Sequence, residues 1–434
     1  MIALPPPNNA TALVTPGSRS LPNAVAEALT ARWRALRTLP ISNPAVLLEL
    51  MREKTGHRVH TSYLPHLNSA VDWLGRAQDA TNDDGFARGY SLLYNHYFRR
   101  RGWEPSYPET TGYIIPTLFE ASDHLDRPEL ADRAIRAARW ESAIQLESGA
   151  VQGGVIGQGQ TPAVFNTGQV IFGWLAAFAR TGESSFAESA RRAGRYLVSV
   201  LESDGHWRKG NSSFARTDTT LYNARVAWAL AEAGVRLREP SFTDAAARNL
   251  RAVMREQHEN GWIPNCCLDI PSRPLLHTLA YATRGLLEGG RVLQDDAMVR
   301  SAARTARALQ QQVRHDGWMP GRFNADWTAA AEWSCLTGQA QMANNWMRLH
   351  LITGDSAWLD AVPRVLTFLK RTQNTTTGND GLRGGIKGSF PMSGVYGRFE
   401  VLNWATKYFV DALVRHEQIS GRPTRPASST FDLA

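Results

Sequence analysis

Three carboxylates, a phenol and an imidazole occupy comparable places along this chain, each just ahead of an apolar helical run. Glu109 opens "ETTGY" (109–113), Asp218 and Tyr222 belong to "RTDTTLYNAR", His277 to "RPLLHTLAY", and Glu332 precedes "CLTGQ" (335–339). Hydrolysis of a glycosidic bond needs two carboxyl groups across that bond, one of them kept protonated as the acid. Glu109, Asp218 and Glu332 are candidates for the pair, with Asp83, Asp84 and Asp326 in reserve. A phenol or imidazole can instead remove the proton beside the carboxylate of a uronic acid, while an amide or cation steadies the enolate-like intermediate. Tyr222 and His277 fit the first part, Asn166 and Arg225 the second.

Any one such residue has a plainer explanation, a side chain satisfying the first backbone N–H groups and the dipole of a helix. The recurrence weighs against it, because serine or threonine would serve as a cap each time. Arg88, Tyr113, Asn166, Gln169, Arg225, Lys387, Glu400 and Asn403 complete a polar rim that suits sugar hydroxyls. There are 14 tryptophans, and Trp207, Trp262, Trp318 and Trp333 stand beside glycine turns or helix starts. Their flat rings suit sugar faces and also fill cores.

What would bring these positions together is a repeat. "AIQLESGAVQGG", "SVLESDGHW", "REQHENGWIP" and "QQVRHDGWMP" each close a helical stretch with a polar turn and a glycine, and Gly149, Gly205, Gly261 and Gly317 lie 56 residues apart. Gly85 precedes the series by 64 residues and Gly381 follows it by 64. Amphipathic arginine-bearing runs such as "SFAESARRAGRYLVSVLES" lead into the turns, and more apolar runs such as "TGQVIFGWLAAFARTG" follow them. Several of the apolar runs end in glycine, which suits a helix C-terminus. Six pairs of an outer and an inner helix predict an all-α fold, an (α/α)6 toroid, with an open solenoid as the alternative. The reading assigns 1–45 to an N-terminal arm and accessory helix, 46–420 to the toroid and 421–434 to a disordered tail.

Composition bounds the rest. An apolar fraction of 43% and a charged fraction of 20% are those of a globular protein with a sizeable core. No apolar run is long enough to span a membrane, and the prolines of "MIALPPPNNATALVTPGSRS" do not make a signal peptide. A cytoplasmic location is therefore expected. The net charge of +8 comes from arginines scattered over helix faces, so no nucleic acid is expected, although a polyanionic glycan would be attracted. Cys266, Cys267 and His277 make a poor zinc set because the cysteines are adjacent, so neither metal nor cofactor is expected. Lanthionine-forming cyclases place cysteine and histidine zinc ligands in a toroid.

"DDGFARGYSL", "SYPETTGYIIPTLFEAS", "DTTLYNARVAWALAEAG" and "GGIKGSFPMSGVYGRFEVLNWATKYFVDAL" resemble the VpsJ-type polysaccharide-biosynthesis proteins of bacteria, over roughly residues 66–415. The resemblance implies a toroid and a role in exopolysaccharide assembly beside other assembly proteins, and it assigns no catalytic residue. "QGQTPAVFNTGQ" is similar to a stretch of the glucuronyl C5-epimerases, which also use an α/α toroid. The expected activity is acid/base chemistry of glycoside hydrolase type on an oligo- or polysaccharide. A uronic-acid lyase or C5-epimerase, or a non-catalytic glycan-binding subunit, are the alternatives.

Overall fold

A computed structural model describes residues 36–55, 62–210 and 221–421. The N-terminal arm, nearly all of the first accessory helix, the tail beyond 421 and Asp218 lie outside the described residues. Six inner helices, α3 (Pro108–Leu125), α5 (Val164–Thr181), α7 (Ala224–Leu237), α9 (Leu276–Leu293), α11 (Leu336–Thr353) and α13 (Asn403–Ile419), are buried almost throughout. Around them stand α2 (Leu64–Asp79), α4 (Pro128–Ala143), α6 (Ser184–Ser199), α8 (Pro240–Glu256), α10 (Asp296–Gln310) and α12 (Val362–Thr372), each with one buried face. Each inner helix packs on the next and α13 packs back on α3, so the ring closes. An extra helix, α1 (Pro44–Thr55), lies outside it. Among the described residues no helix is long and apolar enough to cross a membrane.

The pairing differs from the sequence expectation. Hairpins run from an inner helix to the outer helix that follows it, through connections as short as residues 126–127 or 182–183, and not across the glycine turns. Five pairs form in this way. The sixth joins the two ends of the chain, α13 with α2. A three-stranded antiparallel sheet, β2 (Arg100–Trp103), β1 (Gly89–Asn95) and β5 (Glu400–Leu402), ties the same two ends, with Gly89 opposite Leu402. A second pair, β3 (Ser334–Cys335) and β4 (Ser389–Phe390), stitches the loop before α11 to the loop before α13.

Two glycine expectations need correction. The apolar runs "YNARVAWALAEAG" and "LAYATRGLLEGG" end in Gly234 and Gly290, yet these glycines do not end their helices, which continue to Leu237 and Leu293. A Cβ at Gly234 would come within 2.9 Å of Thr243 N, and one at Gly290 within 2.9 Å of Asp295 O, so these glycines let the hairpin partner approach. The other correction concerns the repeat. Gly149, Gly205, Gly261 and Gly317 all have positive φ (+85°, +92°, +84° and +87°), and each abuts the backbone of the next outer helix, at Arg192, Arg248, Arg304 and Arg364. The fifth member of this kind is Gly384 (φ +88°), packed on Ser69 of α2, and not Gly381, while Gly85 lacks the positive φ and abuts the Trp140 ring of α4. Gln373 donates to the Gly384 carbonyl at 2.7 Å as Gln145 does to Gly149 at 2.8 Å.

Threonines at the start of the inner helices hold these turns in place. Thr111, Thr167 and Thr406 Oγ1 each accept from a backbone N–H just past the glycine, those of Phe86, Val151 and Ile386, at 2.9 Å. The glycine of each "TG" step lets neighbouring inner helices touch, Gly112 against Val170 and Gly168 against Val226. The long loops, and with them the N-terminal ends of the inner helices, therefore gather at one mouth of the ring.

Candidate functional site

A cavity of about 240 Å³ opens at that mouth. Glu109, the second residue of α3, lines it. It does not cap its helix; its carboxyl accepts from the Tyr107 hydroxyl at 2.5 Å. Burial pushes the Glu109 carboxyl up to about 7, and the Tyr107 hydrogen bond and the Arg88 and Arg225 charges offset only part of that rise. About half of it is therefore still protonated at neutral pH and able to give a proton.

His277, in the first turn of α9, also faces the cavity. Its Nδ1–H donates to Gln341 Oε1 at 2.8 Å, an amide oxygen that can only accept, so the tautomer leaves the lone pair on Nε2. Burial lowers the imidazole to about 4, aided by the Arg225 charge, and the ring packs against Tyr281 and Tyr396 at centroid distances of 4.3 and 5.5 Å. Tyr222 lines the same cavity, with its hydroxyl held protonated because burial and the nearby Glu109 raise it. Asn166 is fully buried and donates to Gln152 O at 3.0 Å, while its Oδ1 has no partner among the described residues.

Arg88 forms another wall. Its Nη1 donates to Glu104 at 2.6 Å and Glu400 at 3.2 Å, and its guanidinium lies 5.0 Å from the centre of the Trp404 ring. Glu400 is pushed up to about 7, by burial first and then by Glu104, against the Arg88 charge. It sits behind Arg88 and opens on a separate cleft of about 360 Å³, bordered by Tyr94, Asn95 and Arg398.

Tyr107, Asp269, Thr278, Tyr281, Arg322 and Tyr396 are polar cavity residues that escaped the sequence reading. Asp269 is a second carboxylate in the cavity, held in a two-pronged pair with Arg322 at 2.9 and 2.8 Å. It lies in the loop between α8 and α9, at "CCLDIP", where the repeat pattern gives no signal. Tyr107 was readable, two residues ahead of Glu109.

The other expected site residues lie elsewhere. Glu332 is exposed and does not line the cavity. Trp207 is fully buried with its indole donating to Leu197 O, Trp262 packs edge-on against Trp327, Trp318 lies under Arg314, and Trp333 packs on Gly321. Lys387 is buried in ion pairs with Glu49 at 2.5 Å and Glu53 at 2.6 Å. Asn403 donates to Ala87 O and Thr110 Oγ1 as a structural tie between α13 and the first unit. Tyr113, Gln169 and Arg225 lie below the cavity floor, where Arg225 Nε donates to Gln169 at 2.7 Å. Cys266 and Cys267 donate to Thr278 O and Asp269, and among the described residues no three His, Cys, Asp or Glu side chains form a metal cluster.

The fold is that of the (α/α)6 toroids. Among solved structures, this chain superposes on an unsaturated glucuronyl hydrolase specific for heparin with a TM-score of 0.64 at 16% identity, covering 82% of this chain and 96% of that one. The unsaturated glucuronyl hydrolase of Bacillus sp. GL1, which is responsible for glycosaminoglycan degradation, gives 0.65 at 14% identity over 82% and 97%. The cellobiose 2-epimerase of Bacillus thermoamylovorans B4167 gives 0.64 at 10% over 80% and 96%. No family model and no curated protein matches the sequence.

Proposed function

We propose that this chain is a carbohydrate-active enzyme using glycoside hydrolase-type acid/base chemistry on an oligo- or polysaccharide, with Glu109 as the general acid. The carrying observation is the Glu109 carboxyl, held neutral up to about pH 7 inside a cavity that also contains a second carboxylate, Asp269. Glu109 passes its proton to the glycosidic oxygen as the C–O bond breaks. Asp269 takes a proton from the water that attacks the anomeric carbon, or itself bonds to that carbon to give a glycosyl ester that water then cleaves. Trp404 beside Arg88 offers a flat ring for a sugar face. The names of the structural neighbours, hydrolases and an epimerase of sugars, support a carbohydrate substrate. The resemblance to VpsJ-type proteins supports exopolysaccharide assembly as its setting.

His277 favours a second reading, a C5-epimerase or lyase. A neutral imidazole with a basic Nε2 is suited to removing a proton beside a carbonyl or carboxylate. Product analysis separates the two. Hydrolysis yields a new reducing end, elimination an ultraviolet chromophore, and epimerisation in heavy water a deuterium-labelled sugar without cleavage. A new reducing end supports the first reading, and deuterium uptake without cleavage replaces it with the second.

A further inference from the structure

Below the floor of the cavity the ring axis holds a separate hole of about 10 Å³, room for one atom-sized occupant. Arg225, Arg284, Asn344, Tyr408 and Asp411 are among its walls. Arg225 is 2% exposed, and its guanidinium sits 5.1 to 5.9 Å from the centres of five rings, Tyr113, Phe172, Trp228, Tyr281 and Tyr408. Those rings attract the cation but do not neutralise it. The carboxylates nearby are already committed. Glu288 pairs with Arg284 at 3.2 Å, Arg348 at 2.6 Å and Arg291 at 2.8 Å, and Asp411 pairs with Lys407 at 2.5 Å. Among the described residues no carboxylate pairs with Arg225, its Nη2 is a buried donor without a partner, and the Tyr408 hydroxyl lies near it beside Tyr281 and Gln341. A buried charge in this state carries a large desolvation cost unless something of opposite sign joins it.

We propose that this axial hole is a binding site for one chloride-sized monovalent anion, held by Arg225 Nη2 and the Tyr408 hydroxyl. Its size excludes a sugar carboxylate, so the site is independent of the glycan in the cavity above. The surplus of positive charge is felt by the neighbouring groups. Arg284 is lowered to about 9, by burial first and then, against Glu288, by Arg415, Arg348 and Arg225. The competing occupant is a water bridging Arg225 to Asn344 Oδ1, an acceptor that is also unpartnered.

The test is diffraction from the full chain crystallised in sodium bromide, with data collected at the bromine edge, together with melting in chloride against gluconate at equal ionic strength. The expected result is an anomalous peak within hydrogen-bond distance of Arg225 Nη2 and a saturable rise in Tm with chloride. Asn344→Asp, which places a carboxylate on the wall of the hole, should lose both the peak and the chloride dependence. A water with no anomalous signal, a wild-type Tm indifferent to chloride, or bromide retained in Asn344→Asp would each overturn the proposal.

Discussion

Burial moves the Glu109 carboxyl up to about 7 and the His277 imidazole down to about 4, so the cavity offers a neutral acid beside a neutral base between those values. If Glu109 is the acid, activity falls as pH rises through about 7, because the proton it must give has gone. Glu109→Gln should lower kcat by about 10²- to 10⁴-fold and remove that basic limb from the pH–rate profile. Tyr107→Phe makes a finer point. The Tyr107 hydroxyl stabilises the ionised carboxylate, so its loss raises the carboxyl further and moves the basic limb to higher pH. An unmoved limb would mean that another group sets it. The neighbouring threonines tell a different story from Glu109, since "ETTGY" mixes one cavity residue with two that hold the ring together. Thr111 anchors a glycine turn, and Gly112 admits the next helix.

At the scale of elements, the recurring turns fix how each loop enters the mouth. Gly317 has φ +87° and its would-be Cβ collides with Arg364 of α12. Gly317→Ala should therefore destabilise the fold by at least about 1–2 kcal/mol, read as a lower urea midpoint, and an unchanged midpoint would refute the turn's role. Helix α4 carries an oddity, Glu141, fully buried with neither carboxyl oxygen partnered among the described residues. Burial, and then Asp83, hold it well above its usual 4.5. A raised folded-state value means that the protonated form contributes stability below about 4.5 and that this is lost as pH climbs toward the folded value. Glu141→Gln should match the wild type at acid pH and gain on it by up to about 1.4 kcal/mol per pH unit above that. Urea titrations at two pH values check this.

At the scale of the whole molecule, closure depends on contacts between distant parts of the sequence. Lys387, in the loop before α13, is buried between Glu49 and Glu53 of α1. Lys387→Met leaves Glu53 without its cation and Glu49 with Arg52 alone, and should cost about 3–5 kcal/mol in denaturant unfolding. The ring itself was legible, because a glycine that must take positive φ against the next outer helix recurs at fixed spacing. The pairing was not, since short and long connections both read as polar breaks, and the sixth pair joins chain ends that no local pattern links. Glu109, Asn166, Tyr222 and His277 line the cavity because they sit at or near inner-helix starts, which periodicity locates, and Arg88 joins them from the residue just ahead of β1. Asp269 and Arg322 escaped because irregular loops place them. The tryptophans misled because a ring beside a glycine turn fills the space between outer helices as readily as it meets a sugar.

The account stands or falls on where a glycan binds. A crystal structure of the Glu109→Gln variant soaked with an oligosaccharide should show a glycosidic oxygen within hydrogen-bond distance of the side chain at position 109 and a sugar ring against Trp404. A sugar held on the outer surface, or a cavity that stays empty at saturating ligand, would contradict it.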